Sequence, residues 1–204
     1  MAKAIQTYYG GHFYRSRLEA RWSIFMDALK VRHNYETEGY VLDKGDCYLP
    51  DFFLPELDCY VEIKGAKPTD AERDKTSRFA REIGKRVYLF YGQIMEQIPA
   101  AQFGPTFSTG SACCFFPDGA EDTSYLWCEC SDCGAIGIEY YGRSDRLPCK
   151  DTGCTRSIQG DKGYNFNSSR LLNAYETAQQ ARFEHGERPS TEGPRKCPVS
   201  TSKR

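Results

Sequence analysis

Tyr48-Leu-Pro-Asp-Phe-Phe-Leu-Pro-Glu-Leu-Asp-Cys-Tyr-Val-Glu-Ile-Lys-Gly65 is the stretch on which the fold turns. Tyr48 to Leu54 is aromatic and aliphatic, Cys59 to Lys64 is β-branched and aromatic, and Pro55 to Asp58 between them is turn-type, which together predict a β-hairpin. If the turn is centred on Glu56 and Leu57, Asp51 faces Glu62 and Phe52 faces Val61 across the antiparallel pair. Residues so opposed have Cβ atoms roughly 4.5–5.5 Å apart, and the two-residue period of a strand sets Lys64 beside Glu62 on the same side. Two carboxylates that close repel each other, and sheet packing does not call for them. A divalent cation between them is the natural explanation. The competing reading is a surface hairpin with an incidental acid pair and a solvated lysine.

The Pro50-Asp51 step, the Glu62-Ile63-Lys64 triplet and the register that aligns them resemble the PD-(D/E)xK phosphodiesterase superfamily, nucleases of bacterial and phage type built on a restriction-endonuclease-like core. The resemblance spans about residues 8 to 92. It implies an α/β (α+β) fold with an αβββαβ core and hydrolysis of DNA phosphodiester bonds, leaving 5′-phosphate and 3′-hydroxyl ends. Oxygen ligands suit Mg2+ (or Mn2+), which Asp51 and Glu62 would hold with the Ile63 carbonyl and Glu19. Lys64 would orient the attacking water and bind the scissile phosphate, either with a lowered pKa or simply as a cation. The partner implied is duplex or branched DNA, with RNA left open, since backbone chemistry does not itself read the sugar. Concerted cutting of both strands would need a homodimer. The competing class is a non-catalytic, nucleic-acid-binding zinc adaptor.

At 204 residues and 40% hydrophobic, the chain can build one ordinary core plus a small appended module. A mean hydropathy of −0.63 and no apolar run near 18 residues exclude a membrane-spanning helix. The start, Met-Ala-Lys-Ala-Ile-Gln, is followed by no apolar stretch of a secretory signal, so an intracellular protein is expected, in the cytoplasm of a bacterium or a phage-infected host. The net charge of −1 advertises no general affinity for nucleic acid, but basic residues concentrate locally. Lys64 to Arg86 holds eight Lys or Arg against four acids, and Arg15 to Arg32 holds five against two.

Apolar residues at 18, 22, 25, 26 and 29 mark the first helix, with Ser16 as N-cap and Glu19 completing a capping box. Capping alone would account for Glu19; the resemblance adds a role at the metal. Arg15 and Arg17 lie near that helix end and could reach phosphates. Asn34 to Leu42 reads as one strand, with Glu36 and Glu38 on a solvated face and outside the site. Thr69 or Asp70 caps a helix with its body at Ala71 to Ile83 and Gly84 as its end, offering Lys75 and Arg78 to DNA or merely to solvent. Arg86 to Gly92 is a buried strand that completes a core at residues 1–95.

Residues 96–126 read as a linker with one strand at Ala112 to Phe116. Cys130-Ser-Asp-Cys133 and, after fifteen intervening residues, Cys149-Lys-Asp-Thr-Gly-Cys154 form two knuckles spaced for tetrahedral Zn2+. Cys128 is an alternative ligand to Cys130. Four sulfurs leave no open position, so this zinc would be structural, in a zinc-ribbon-like module at 127–160. A C-terminal helix within 161–186 would pack on core or module, and 187–204 reads as a disordered tail.

Overall fold

The computed structural model describes residues 4–99, 112–141 and 164–183. Helix α1 (Arg17–Leu29) starts where predicted: Ser16 is extended, and its hydroxyl accepts the Glu19 amide. The helix buries Trp22, Phe25, Met26 and Leu29. It is preceded by a ribbon of β1 (Thr7–Tyr9) and β2 (His12–Tyr14) joined through Gly10 and Gly11, both at positive φ. Helix α2 (Asp70–Ile83) carries a full capping box between Thr69 and Glu72 and ends on Gly84 in the left-handed conformation. Helix α3 (Ser169–Gln180) lies within the expected 161–186 segment and is capped by Ser168.

The predicted strand at Asn34 to Leu42 is two strands instead. β3 (Asn34–Tyr35) pairs with β6 (Phe52–Leu54), whereas β4 (Tyr40–Val41) pairs with β5 (Cys47–Tyr48) in a separate small sheet. The break falls at Glu36, which has φ 42°. The run from Tyr48 to Leu54 is interrupted too, at Pro50, whose missing N–H cannot serve a ladder. What remains is the hairpin of β6 and β7 (Cys59–Lys64), and its register is Phe52↔Val61, Phe53↔Tyr60 and Leu54↔Cys59, as the turn symmetry predicted.

β7 runs parallel to β8 (Arg86–Tyr91), with α2 as the crossover between them. Beyond β8 the same sheet continues through β9 (Ala112–Phe115), β10 (Glu121–Cys130) and β11 (Ile136–Tyr140). A short β12 (Tyr164–Asn165) pairs with the end of β10. Residues 112–126, expected as linker with one strand, thus supply β9 and the start of β10. The described part of the 127–160 segment is hydrogen-bonded into the core sheet. The architecture is mixed α/β, with three α-helices and a mixed eight-stranded sheet among the described residues. None of the described helices is long and apolar enough to cross a membrane.

Alternation along the strands sorts two cores. Phe52, Leu54, Val61, Ile63, Phe90 and Trp127 pack with α1 and α3 on one face; Tyr48, Tyr60, Val87, Leu89 and Phe115 pack with Phe79 of α2 on the other. Phe25 sits at the junction of the first core, its ring centroid 4.4 Å from Tyr175 of α3 and 5.3 Å from Trp127 of β10. Because Phe25 joins both ends of the chain through one core, Phe25→Ala is expected to cost about 3–5 kcal/mol. Urea unfolding followed by Trp fluorescence should show that loss in a single transition. Two separated transitions would mean that the β10–α3 part folds on its own.

Candidate active site

Continued one step beyond the observed Phe52↔Val61 pair, the hairpin register would set Asp51 across from Glu62, and the two are close enough for the Glu62 charge to act on Asp51. Asp51 lies just outside β6 and substitutes its side chain for a ladder bond: its Oδ2 accepts the Ile63 amide at 2.7 Å. Its backbone carbonyl accepts the Glu36 amide at 2.9 Å, so the break in β3 is tied directly to the break before β6. Asp51 is 2% exposed.

Helix α1 brings Glu19 to the same place. The predicted capping box is only half formed, because the Glu19 carboxylate reaches past the cap: Oε1 accepts the Ser16 hydroxyl at 2.6 Å, and Oε2 accepts the Arg15 amide at 3.1 Å and the Tyr35 hydroxyl. One carboxylate oxygen from each of Glu19, Glu36 and Asp51 lies within 4.8 Å of the others. Arg15 bridges them, with Nη2 donating to Asp51 Oδ1 at 2.8 Å and Nε paired with Glu36 Oε1. Glu36 was placed on a solvated face and outside the site; the structure puts it inside. The backbone at Glu36 turns left-handed, which strand periodicity does not announce, and only the alternation of acids with aromatics in this stretch hinted at a special role.

Glu62 and Lys64 project from the same side of β7, where Lys64 Nζ contacts Glu62 Oε1 at 2.7 Å. Glu62 is 5% exposed, and its second oxygen, Oε2, is buried without a hydrogen-bond partner among the described residues. The Tyr48 phenol is close enough to feel that charge: burial first, and then Glu62, push its pKa well up. Sequence reading made nothing of Tyr48 beyond its strand. Lys64 is held above its ordinary pKa. Burial acts to lower it, and the Glu62 charge and hydrogen bond outweigh that. Lys64 is a cation here, and the alternative of a lowered pKa is set aside.

The four residues expected at nucleic acid divide. Arg15 is engaged in the acid cluster with its side chain 54% exposed, and Arg17 lies exposed in the first turn of α1. Lys75 Nζ stands 5.8 Å over the Tyr48 ring. Arg78 is a correction: it is 5% exposed, and its guanidinium is enclosed by Asp43, Asp46 and Asp74, with contacts at 3.0 Å to Asp43 and Asp74. A guanidinium fully engaged by three carboxylates offers nothing to a phosphate, and its work is to tie α2 to the loop before β5.

Among the expected zinc ligands, Cys128 and Cys130 are buried two residues apart on β10, so they share one side of the strand, and Cys133 is exposed at the turn into β11. That turn is closed by the Gly134 amide on the Cys130 carbonyl and the Cys130 amide on the Ala135 carbonyl. Cys128 Sγ approaches the Gly137 carbonyl at 3.6 Å. Cys149 and Cys154 lie outside the described residues, as does the 187–204 tail.

No family model, curated protein or solved structure matches this chain. The chemistry therefore rests on the donors themselves. Four carboxylates, three of them buried, surround one guanidinium and one ammonium. Such a set fits a hard divalent cation: oxygen donors are grouped, and Glu62 Oε2 is buried with nothing to bind.

Burial, then the charges of Glu62 and Glu19, hold the Asp51 carboxyl well above its ordinary 3.8, with Arg15 and the Ile63 amide offsetting part of this. The folded chain therefore binds this proton more tightly than the unfolded one, and metal-free stability falls as pH rises from about 3.8 through the raised value. Asp51→Asn is expected to melt higher than the parent at pH 7 without divalent metal, by about 2–4 °C per kcal/mol relieved. The gap should close toward pH 4 and reverse when Mg2+ stabilises only the parent. An Asn variant melting no higher at pH 7 would show that the carboxylate carries no such strain.

Proposed function

We propose that the chain is a Mg2+- or Mn2+-dependent nuclease that hydrolyses DNA phosphodiester bonds, with α1, β3, β6, β7, α2 and β8 forming a restriction-endonuclease-like αβββαβ core. The observation that carries this reading is the nearness of Asp51 to Glu62, whose charge acts on it more than any other, with Glu62 Oε2 buried and unpartnered among the described residues and Oε1 on the Lys64 ammonium. The parallel β7–β8 pair across α2 also agrees with it.

Asp51, Glu62 and Glu19 would hold the ion with the Ile63 carbonyl, which points to the same strand edge as the Ile63 amide that Asp51 accepts. When bound, the ion would neutralise the scissile phosphate and acidify a water ligand. Lys64, beside Glu62, would bind a phosphate oxygen and orient the attacking water. Arg15, Arg17 and Lys75 supply the remaining positive charge toward the backbone of the nucleic acid, and in-line attack leaves a 5′-phosphate and a 3′-hydroxyl. Nothing in this chemistry distinguishes DNA from RNA at the scissile bond, so the sugar preference rests on the resemblance alone. A second proposal concerns the cysteines: Cys130 and Cys133 would join Cys149 and Cys154 on a structural Zn2+, with Cys128 beside Cys130 as the alternative donor.

Supercoiled plasmid incubated with the full chain and Mg2+ or Mn2+ should be nicked or linearised. Glu62→Ala and Lys64→Ala should each slow this by about 100-fold or more while leaving the far-UV dichroism unchanged. A parent protein that binds plasmid without cutting it would replace the enzyme with the adaptor reading. Metal content is a separate matter: plasma mass spectrometry should find zinc in the purified chain, lost in Cys133→Ser. A zinc-free, folded parent would remove the zinc proposal and leave the nuclease standing.

A further inference from the structure

The Arg15 side chain and its own backbone amide touch all three acids of the Glu19–Glu36–Asp51 cluster: Nη2 on Asp51, Nε on Glu36, and the backbone N–H on Glu19. One arginine therefore touches three carboxyl groups in a pocket where Asp51 is 2% and Glu19 8% exposed. Lys64 is engaged by Glu62. At such burial, unbalanced carboxylates cost more than at the surface, and a doubly charged ion answers them better than a single guanidinium. A second observation points to a ligand independently of the acids' grouping. Glu62, whose charge acts on Asp51, keeps Oε2 buried and, among the described residues, without a hydrogen-bond partner.

We propose that Glu36 is a ligand of the divalent cation, alongside Asp51 and Glu19, and that Arg15 holds the cation's place in the metal-free chain and is displaced outward when the ion enters. The inference rests on the metal centre of the proposed nuclease and extends it by one ligand and one exchanging counter-ion. Glu36 is fixed for this by the hydrogen bond that its backbone N–H donates to the Asp51 carbonyl, with its carboxylate at the pocket, whereas Glu38 remains exposed. Arg15 is free to leave: its side chain is 54% exposed and sits in the two-residue link between β2 and α1. The released guanidinium then faces solvent beside the metal, where a phosphate of the bound backbone would lie. Metal loading and phosphate binding are thereby coupled through one side chain, because Arg15 can serve either the acids or the phosphate.

The test is Mn2+ binding to the full chain in the absence of nucleic acid, read by the electron paramagnetic resonance of free Mn2+ and by the Mn2+-induced rise in melting temperature. Arg15→Gln should bind Mn2+ about tenfold more tightly than the parent, Glu36→Gln about tenfold more weakly, and Glu38→Gln like the parent. Parent-like affinity in Glu36→Gln, or no gain in Arg15→Gln, overturns the proposal. Should Glu36→Gln fail to fold, the Arg15→Gln result decides. Failure of the nuclease reading looks different: a chain that binds Mn2+ in this order and leaves plasmid intact loses the activity and keeps the ligand set.

Discussion

Glu19, Glu36 and Asp51 converge where the hairpin leaves the sheet, with Glu62 close enough to act on Asp51, and the cost of keeping like charges together out of water is the constraint to which the surrounding structure answers. Three of these acids reach that place by a local interruption of regular structure. Glu19 reaches past its cap, Glu36 sits at the point where β3 turns left-handed, and Asp51 follows the proline that ends the first strand run. Glu62 alone lies within an uninterrupted strand. The interruptions compensate one another: the Glu36 amide meets the Asp51 carbonyl, and the Ile63 amide meets the Asp51 carboxylate.

Such a cluster survives only on a rigid support, and the two cores supply it. On one face Trp22 and Phe25 of α1 lock the helix against Phe90 and Trp127, which fixes the N-terminal turn that carries Glu19. On the other, Phe79 of α2 stacks on Tyr48, which holds the phenol near Glu62. Arg78, surrounded by Asp43, Asp46 and Asp74, anchors the same helix to the loop leading into β5. A residue that reads as a surface contact is thus part of the framework under the site.

The cysteine-bearing strands extend this framework. β10 passes from the sheet's edge with β9 to the turn that holds Cys130 and Cys133, and Trp127 on the same strand packs against α1. The first knuckle therefore stands on the strand that helps fix the helix carrying Glu19, and a change in one would be felt by the other through rigid elements.

Local pattern was enough for several features. The β6–β7 register followed from turn symmetry because a two-residue period leaves a hairpin one sensible pairing. The caps at Ser16, Thr69 and Gly84 followed because orphan amides and carbonyls at helix ends admit few partners. The pairing of Lys64 with Glu62 followed from strand alternation. Tertiary structure alone decided that Glu36 turns inward, that Arg15 lies among the acids, that Arg78 is enclosed and that β10 joins the central sheet. The reason is physical: a strand's period and a helix cap are set by neighbours a few residues away, whereas the balance of buried charge depends on side chains that only the folded chain brings together.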